Sequence, residues 1–142
     1  MKNQVLSVEQ MKHLQELGID TSKASCAYYA FYESEPNYYE LRIRDSALEI
    51  DPQTILFIPT FTLQDILNML PGSIMSDNIF YHFELLNLTS AYSIGYKGFV
   101  GENDDDPNMM EYHILLWNTN LLTSAYEMLC WLAENEHIGG KK

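Results

Sequence analysis

The chain is 142 residues long, 46% apolar and 13% aromatic, and carries a formal charge of −12 from 20 acidic and 8 basic residues. At that length one domain can bury roughly two-thirds of its unfolded surface, and the apolar content excludes a disordered chain. The charge disfavours direct contact with DNA, RNA or an anionic membrane, all of which present phosphates. No Lys or Arg occurs from Asp45 to Tyr96 or from Gly98 to Gly140, so Lys97 stands alone in the second half until the terminal Lys141-Lys142.

In chain order, a first helix starts after Ser7. Ser7 with Gln10 three residues on makes a capping box, Leu6 and Met11 stand at staple positions, and Val8, Met11, Leu14 and Leu17 share one face before Gly18 ends it. Two strands are expected at Cys26 to Glu33 and Tyr38 to Arg44, joined by the turn Ser34-Glu35-Pro36-Asn37. In the second, Tyr39, Leu41 and Ile43 alternate with Glu40, Arg42 and Arg44, which predicts a half-buried strand. Ile55 to Ile58 reads as a short apolar strand closed by Pro59.

The second helix spans Phe61 to Leu70, capped by Thr62 with Asp65 at N3 and stopped by Pro71-Gly72. Leu63, Ile66, Leu67 and Leu70 form its buried stripe. Ile79 to Leu86 and Ala91 to Phe99 suggest a hairpin bent near Asn87 to Ser90, and Tyr112 to Trp117 a final strand beyond the acidic loop Glu102 to Asn108. The last helix, Leu121 to Asn135, begins after Asn118 or Asn120, with Leu122, Ala125, Tyr126, Leu129, Leu132 and Ala133 on one face. Met128 and Trp131 widen its apolar surface, and Glu136 stands where a helix-ending glycine is expected.

The expected order is α-β-β-(β)-α-β-β-β-α over residues 1–142, a single α+β domain with a two-layer sandwich of about three helices on one face of an antiparallel sheet. No apolar run approaches the ~20 residues of a membrane span, and the N-terminus has no apolar signal core, so a cytoplasmic setting with reduced thiols is the expectation. Asn87-Leu88-Thr89 matches a glycosylation sequon, which has no meaning without secretion.

Residues that could carry chemistry are scattered. His82 and His113 fall in expected strands and could form a small polar site with Glu84 and Glu111; without metal-ligand spacing, strand-edge or solvent positions account for them better. Cys26 and Cys130 lack any signature of a nucleophile and read as small buried apolar residues. Counting from Glu102, the run Asp104-Asp105-Asp106 places Pro107 where a calcium loop needs Gly and His113 where it needs a bidentate Glu. Gly95, Gly98 and Gly101 suit bulges or turns better than phosphate binding. No metal or cofactor is expected. The candidate interaction surface combines Met128 and Trp131 on the last helix with Tyr28, Tyr29 and Tyr32 on the first strand.

Pro59-Thr60-Phe61-Thr62-Leu63-Gln64-Asp65-Ile66-Leu67-Asn68-Met69-Leu70-Pro71 and Ala125-Tyr126-Glu127-Met128-Leu129-Cys130-Trp131-Leu132-Ala133-Glu134-Asn135 resemble segments of a family of small uncharacterised proteins from Bacteroides-type gut bacteria and their prophages or other mobile elements. These motifs mark packing and capping, and the resemblance implies an accessory role without an activity. Three readings follow. The leading one is a non-enzymatic interaction protein that self-associates or binds a protein partner. The second is an acidic decoy for a nucleic-acid-binding protein, which needs its carboxylates aligned on one face. The third is a small hydrolase built on His82 and His113, which needs both on the same side.

Overall fold

The structure is a computed structural model that describes residues 4–33, 35, 38–99 and 110–138. The acidic loop Glu102 to Asn108, with the rejected calcium motif, and most of the turn Ser34 to Asn37 lie outside these residues. Helix α1 covers Val8–Glu16 and strands β1 and β2 Cys26–Phe31 and Glu40–Ile43. A short helix α2, Ser46–Glu49, leads to β3, Thr54–Thr60, and then to α3, Leu63–Met69. Strands β4 (Ser73–Ser76), β5 (Ile79–Asn87), β6 (Tyr92–Phe99) and β7 (Met110–Asn118) precede α4, Leu121–Glu134. No helix among the described residues is long and apolar enough to cross a membrane.

The class is α+β and every pairing is antiparallel. The expected single sheet is instead two, ordered β2-β1-β3 and β4-β5-β6-β7. The division arises because β3 returns to pair along β1, from Cys26 opposite Thr60 to Phe31 opposite Thr54. That closes a three-stranded unit before α3 begins. Pro59 does not end β3; it lies on an edge strand, where a missing N–H is tolerated. Two elements were not expected. Helix α2 is a single turn, capped by Asp45 accepting from the Ala47 N–H at 2.9 Å. Strand β4 joins β5 through Asp77 and Asn78, with φ of 51° and 66°, the backbone of a two-residue type I′ hairpin.

Helix ends follow the sequence closely. Both capping boxes form: Ser7 with Gln10 and Thr62 with Asp65, each side-chain oxygen meeting an N–H the helix leaves unpaired. Asp65 also ties α3 to the entry of β1, accepting from the Ser25 N–H at 2.9 Å and the Ser25 hydroxyl at 2.5 Å. Burial opposes its ionisation, but these bonds and those from Thr62 hold the carboxyl below its ordinary range. Gly18, at φ 88°, closes α1 with paired bonds from Gly18 N–H to Gln15 and Ile19 N–H to Leu14. Helix α4 ends with the same motif, Glu136 N–H to Ala133 and His137 N–H to Leu132, and Glu136 takes the left-handed position at φ 61°.

One buried cluster runs through both sheets. It joins Leu6, Met11 and Leu14 at α1 to Ile58 of β3, Ile66 of α3, Tyr81, Ile94 and Tyr96 of the larger sheet, and Met128, Leu129 and Leu132 of α4. Helix α4 lies on β6 and β7 and against α3, so it is covered on two sides, as its apolar breadth requires.

Candidate functional site

Alternation along β5 and β6 sends Tyr81, Phe83, Leu85, Ile94 and Tyr96 toward the helices. The opposite face therefore carries Phe80, His82, Glu84 and Leu86 from β5, and Ser93, Gly95 and Lys97 from β6. Strand β4 contributes Met75 opposite Phe80. On β7 the pairing slips between Tyr96 and Lys97: Tyr96 faces Ile114 while Lys97 faces Tyr112, leaving His113 as the extra residue of a bulge. The bulge keeps Tyr112, Leu115 and Trp117 on this open face.

No described helix or strand packs on that face. Trp117 is 68% exposed and Phe80 55% exposed, and Met75, Leu86 and Leu115 are exposed beside them. The floor is Gly95: a Cβ there would stand 3.0 Å from both the Tyr112 ring and the Leu115 side chain and 2.8 Å from the Ile114 carbonyl oxygen. Only glycine lets Tyr112 and Leu115 lie across β6. Tyr112 donates its hydroxyl to Glu84, which raises its pKa, and Lys97 Nζ sits 5.3 Å from the Tyr112 ring centre. A polar strip, Glu84–Tyr112–Lys97, thus separates two apolar zones. One holds Met75 and Phe80, the other Leu86, Leu115 and Trp117.

The residues singled out from sequence go elsewhere. Met128 and Tyr29 are both 0% exposed, so neither belongs to an interaction surface. Met128 faces the core because α4 is sandwiched between the sheet and α3. Tyr29 is held in place by donating to Glu49 Oε2 at 2.8 Å and accepting from the Asp45 N–H at 3.0 Å. Glu49 also takes a two-pronged bond from Arg44, both contacts at 2.7 Å; that guanidinium brings the Glu49 carboxyl down to about 2. Trp131 is half-buried, stacked on His137 with centroids 5.3 Å apart and edge-on to His113 at 5.4 Å. Tyr28 is half-buried and donates to the Leu6 carbonyl at 2.9 Å. Only Tyr32, 67% exposed, has a free ring.

The polar site imagined from His82, His113, Glu84 and Glu111 is not assembled. His82 and Glu84 share the open face, but the bulge turns His113 to the helix side, where its ring lies 4.8 Å from Tyr81 and close to Trp131. Glu111 is exposed, opposite Gly98. Both cysteines are buried, and burial pushes both thiols up, unlike a nucleophile. The described residues contain no group of three or more His, Cys, Asp or Glu able to hold a metal ion. A cavity of about 860 Å³ opens beside the first turns of α3 and α4, lined among others by Thr62, Leu67, Tyr92 and Asn120. It has neutral hydrogen-bonding groups and no acid–base pair.

Sequence reasoning missed the open face for two reasons. Its residues come from four strands whose pairing is not legible locally, and a bulge decides the facing of β7. The one available signal was the alternation Phe80, His82, Glu84, Leu86, which leaves apolar residues at both ends of the solvent-facing register. Compared with known proteins, the chain matches no family model, no curated protein and no solved structure.

Proposed function

We propose that this chain is a non-enzymatic interaction protein, accessory to a mobile element, that presents the open face of β4–β7 to a protein partner. The observation that carries this reading is the gathering of Met75, Phe80, Leu86, Leu115 and Trp117, all exposed, on one face of one sheet. Scattered exposed apolar residues need no explanation, but two apolar zones grouped on one face, either side of a polar strip, suit a recognition surface. Trp and Tyr beside a lone cation supply the anchors from which such surfaces draw their affinity. The chain's charge of −12 favours a protein partner over nucleic acid. Many carboxylates are spent locally, Asp20 and Asp51 on turns, Asp45 and Asp65 on caps and Glu40 and Glu49 on arginines, which gives the decoy reading little support.

The test compares capture from the native host by the wild-type chain and by Phe80→Ser/Trp117→Ser. Both positions are exposed, so stability should stay within ~0.5 kcal/mol. A protein retained by the wild type and lost with the double variant, at unchanged circular dichroism, is the expected result. An identical bound set for both chains would remove the open face from consideration.

A further inference from the structure

Helix α4 ends in a turn wrapped around one indole. Glu136 stands in the left-handed region at φ 61°, and the His137 N–H donates back to the Leu132 carbonyl at 2.8 Å. That turn lays the His137 ring on Trp131, 22° from parallel with centroids 5.3 Å apart, and sets Ile138 against the buried cluster. From β7, the bulge residue His113 meets the same indole edge-on at 5.4 Å and touches the Tyr81 ring of β5 at 4.8 Å. The two imidazoles are thereby brought 6.3 Å apart, at 88° to each other.

What the pair lacks is an acid. The chain has 20 acidic residues, yet among the described residues the only histidine that meets a carboxylate is His13, 3.9 Å from Glu16. The charged groups on the elements around the pair are Glu111 on β7, Asp77 in the β4–β5 hairpin, and Glu134 and Glu136 at the end of α4, all exposed and none paired with either ring. One imidazolium against an indole is tolerable, since the ring face attracts a cation. Two against the same indole, half-buried and without a carboxylate on either, repel each other.

We propose that His113 and His137 form a proton-operated latch on the end of α4: when neutral they hold the turn 135–138 over Trp131, and when protonated they release it. His137 is the more buried of the two, and burial first, then the neighbouring His113, lowers its pKa from 6.5, so the neutral ring is the one that fits. The latch is therefore shut above pH 6.5 and opens as pH falls through the lower folded value. Opening uncovers Trp131 and the part of the cluster under Ile138, an apolar patch in the helix layer. It goes beyond partner docking on the open face of β4–β7 and does not depend on it.

The emission of Trp131 tests the latch, read in the full chain carrying Trp117→Phe so that a single indole remains. From about pH 8 to about pH 5 the emission should move to longer wavelength and acrylamide quenching should rise, while far-UV circular dichroism holds. His137→Gln in the same background, which takes no charge, should abolish the change. His113→Gln, which removes the neighbouring charge, should shrink it and raise the pH at which the His137 ring titrates by NMR.

An indole with the same emission and quenching at both ends of the range overturns the proposal. So does an undiminished change in His137→Gln, an unaltered His137 titration in His113→Gln, or a far-UV loss that accompanies the emission shift and marks global unfolding. Should His137→Gln open the turn at every pH, amide exchange of the wild type decides. Corrected for intrinsic rates, the His137 N–H should lose protection below pH 6.5 while amides in the middle of α4 keep theirs, and protection constant with pH rejects the latch.

Discussion

The two sheets are secured by different physics. The smaller, β2-β1-β3, is fixed at its outer corner by a polar lock. Tyr29, Arg44 and Glu49 hold α2 against the strands, and the Arg44 guanidinium lies 5.4 Å from the Phe57 ring centre. The larger, β4–β7, is held by apolar contact with α4 and by close approach across Gly98, where Tyr81 lies on β6. A polar lock is directional and depends on ionisation, while an apolar layer depends on volume. The two regions should therefore fail under different insults.

The largest expected effect is on the apolar side. Leu129→Ala removes a side chain that is 0% exposed at the centre of the shared cluster and should cost about 3 kcal/mol in chemical denaturation. Because that cluster includes residues of both sheets, loss in a single transition is expected; two separated transitions would break the picture of a common core. Next comes Gly98→Ala, whose new Cβ would lie 2.6 Å from the Tyr81 ring and 2.8 Å from the Phe80 carbonyl oxygen. It should cost about 2 kcal/mol, with exchange quickening first in β5 and β6.

On the polar side, Glu49→Gln should cost about 1.5 kcal/mol and loosen α2 while leaving α4 protected. The pH windows sharpen the contrast. The Glu49 carboxyl falls from 4.5 to about 2 on folding, so its contribution is complete above pH 4.5 and disappears as pH drops toward 2. His137 is lowered below 6.5 by burial and by neighbouring His113, so its neutral form stabilises the fold above pH 6.5 and that contribution is lost as pH falls below its folded value. Acidification should thus release the turn around Trp131 first and the Tyr29 corner only later, which amide exchange followed against pH would order. The smallest effect is a gain: Glu136→Gly relieves a left-handed residue and should add about 1 kcal/mol to thermal stability, whereas Gly18→Ala at the matching end of α1 should subtract a similar amount.

Helices were legible because their signals are local. Ser7 with Gln10 and Thr62 with Asp65 announce themselves within four residues, and both boxes form. The Gly18 stop is equally local. What failed depends on distant pairing. Ile43 alternates correctly with its neighbours yet is 69% exposed, because β2 is an outer strand that nothing covers there. Asp77-Asn78 carried a hairpin signal that the short strand before it concealed, and one turn of helix at Ser46–Glu49 is too brief for any period to register. The candidate site shared this fate. Met128 and Trp131 were rightly seen as needing cover, but the cover is internal, supplied by the sheet, α3 and the His113–His137 pair.

The two borders of the larger sheet differ in length, nine residues in β7 against four in β4. Were both borders as long as β7, each could offer a template for a further strand, the geometry from which open-ended fibres grow. Strand β4, only four residues long, is too short a border to extend such a series.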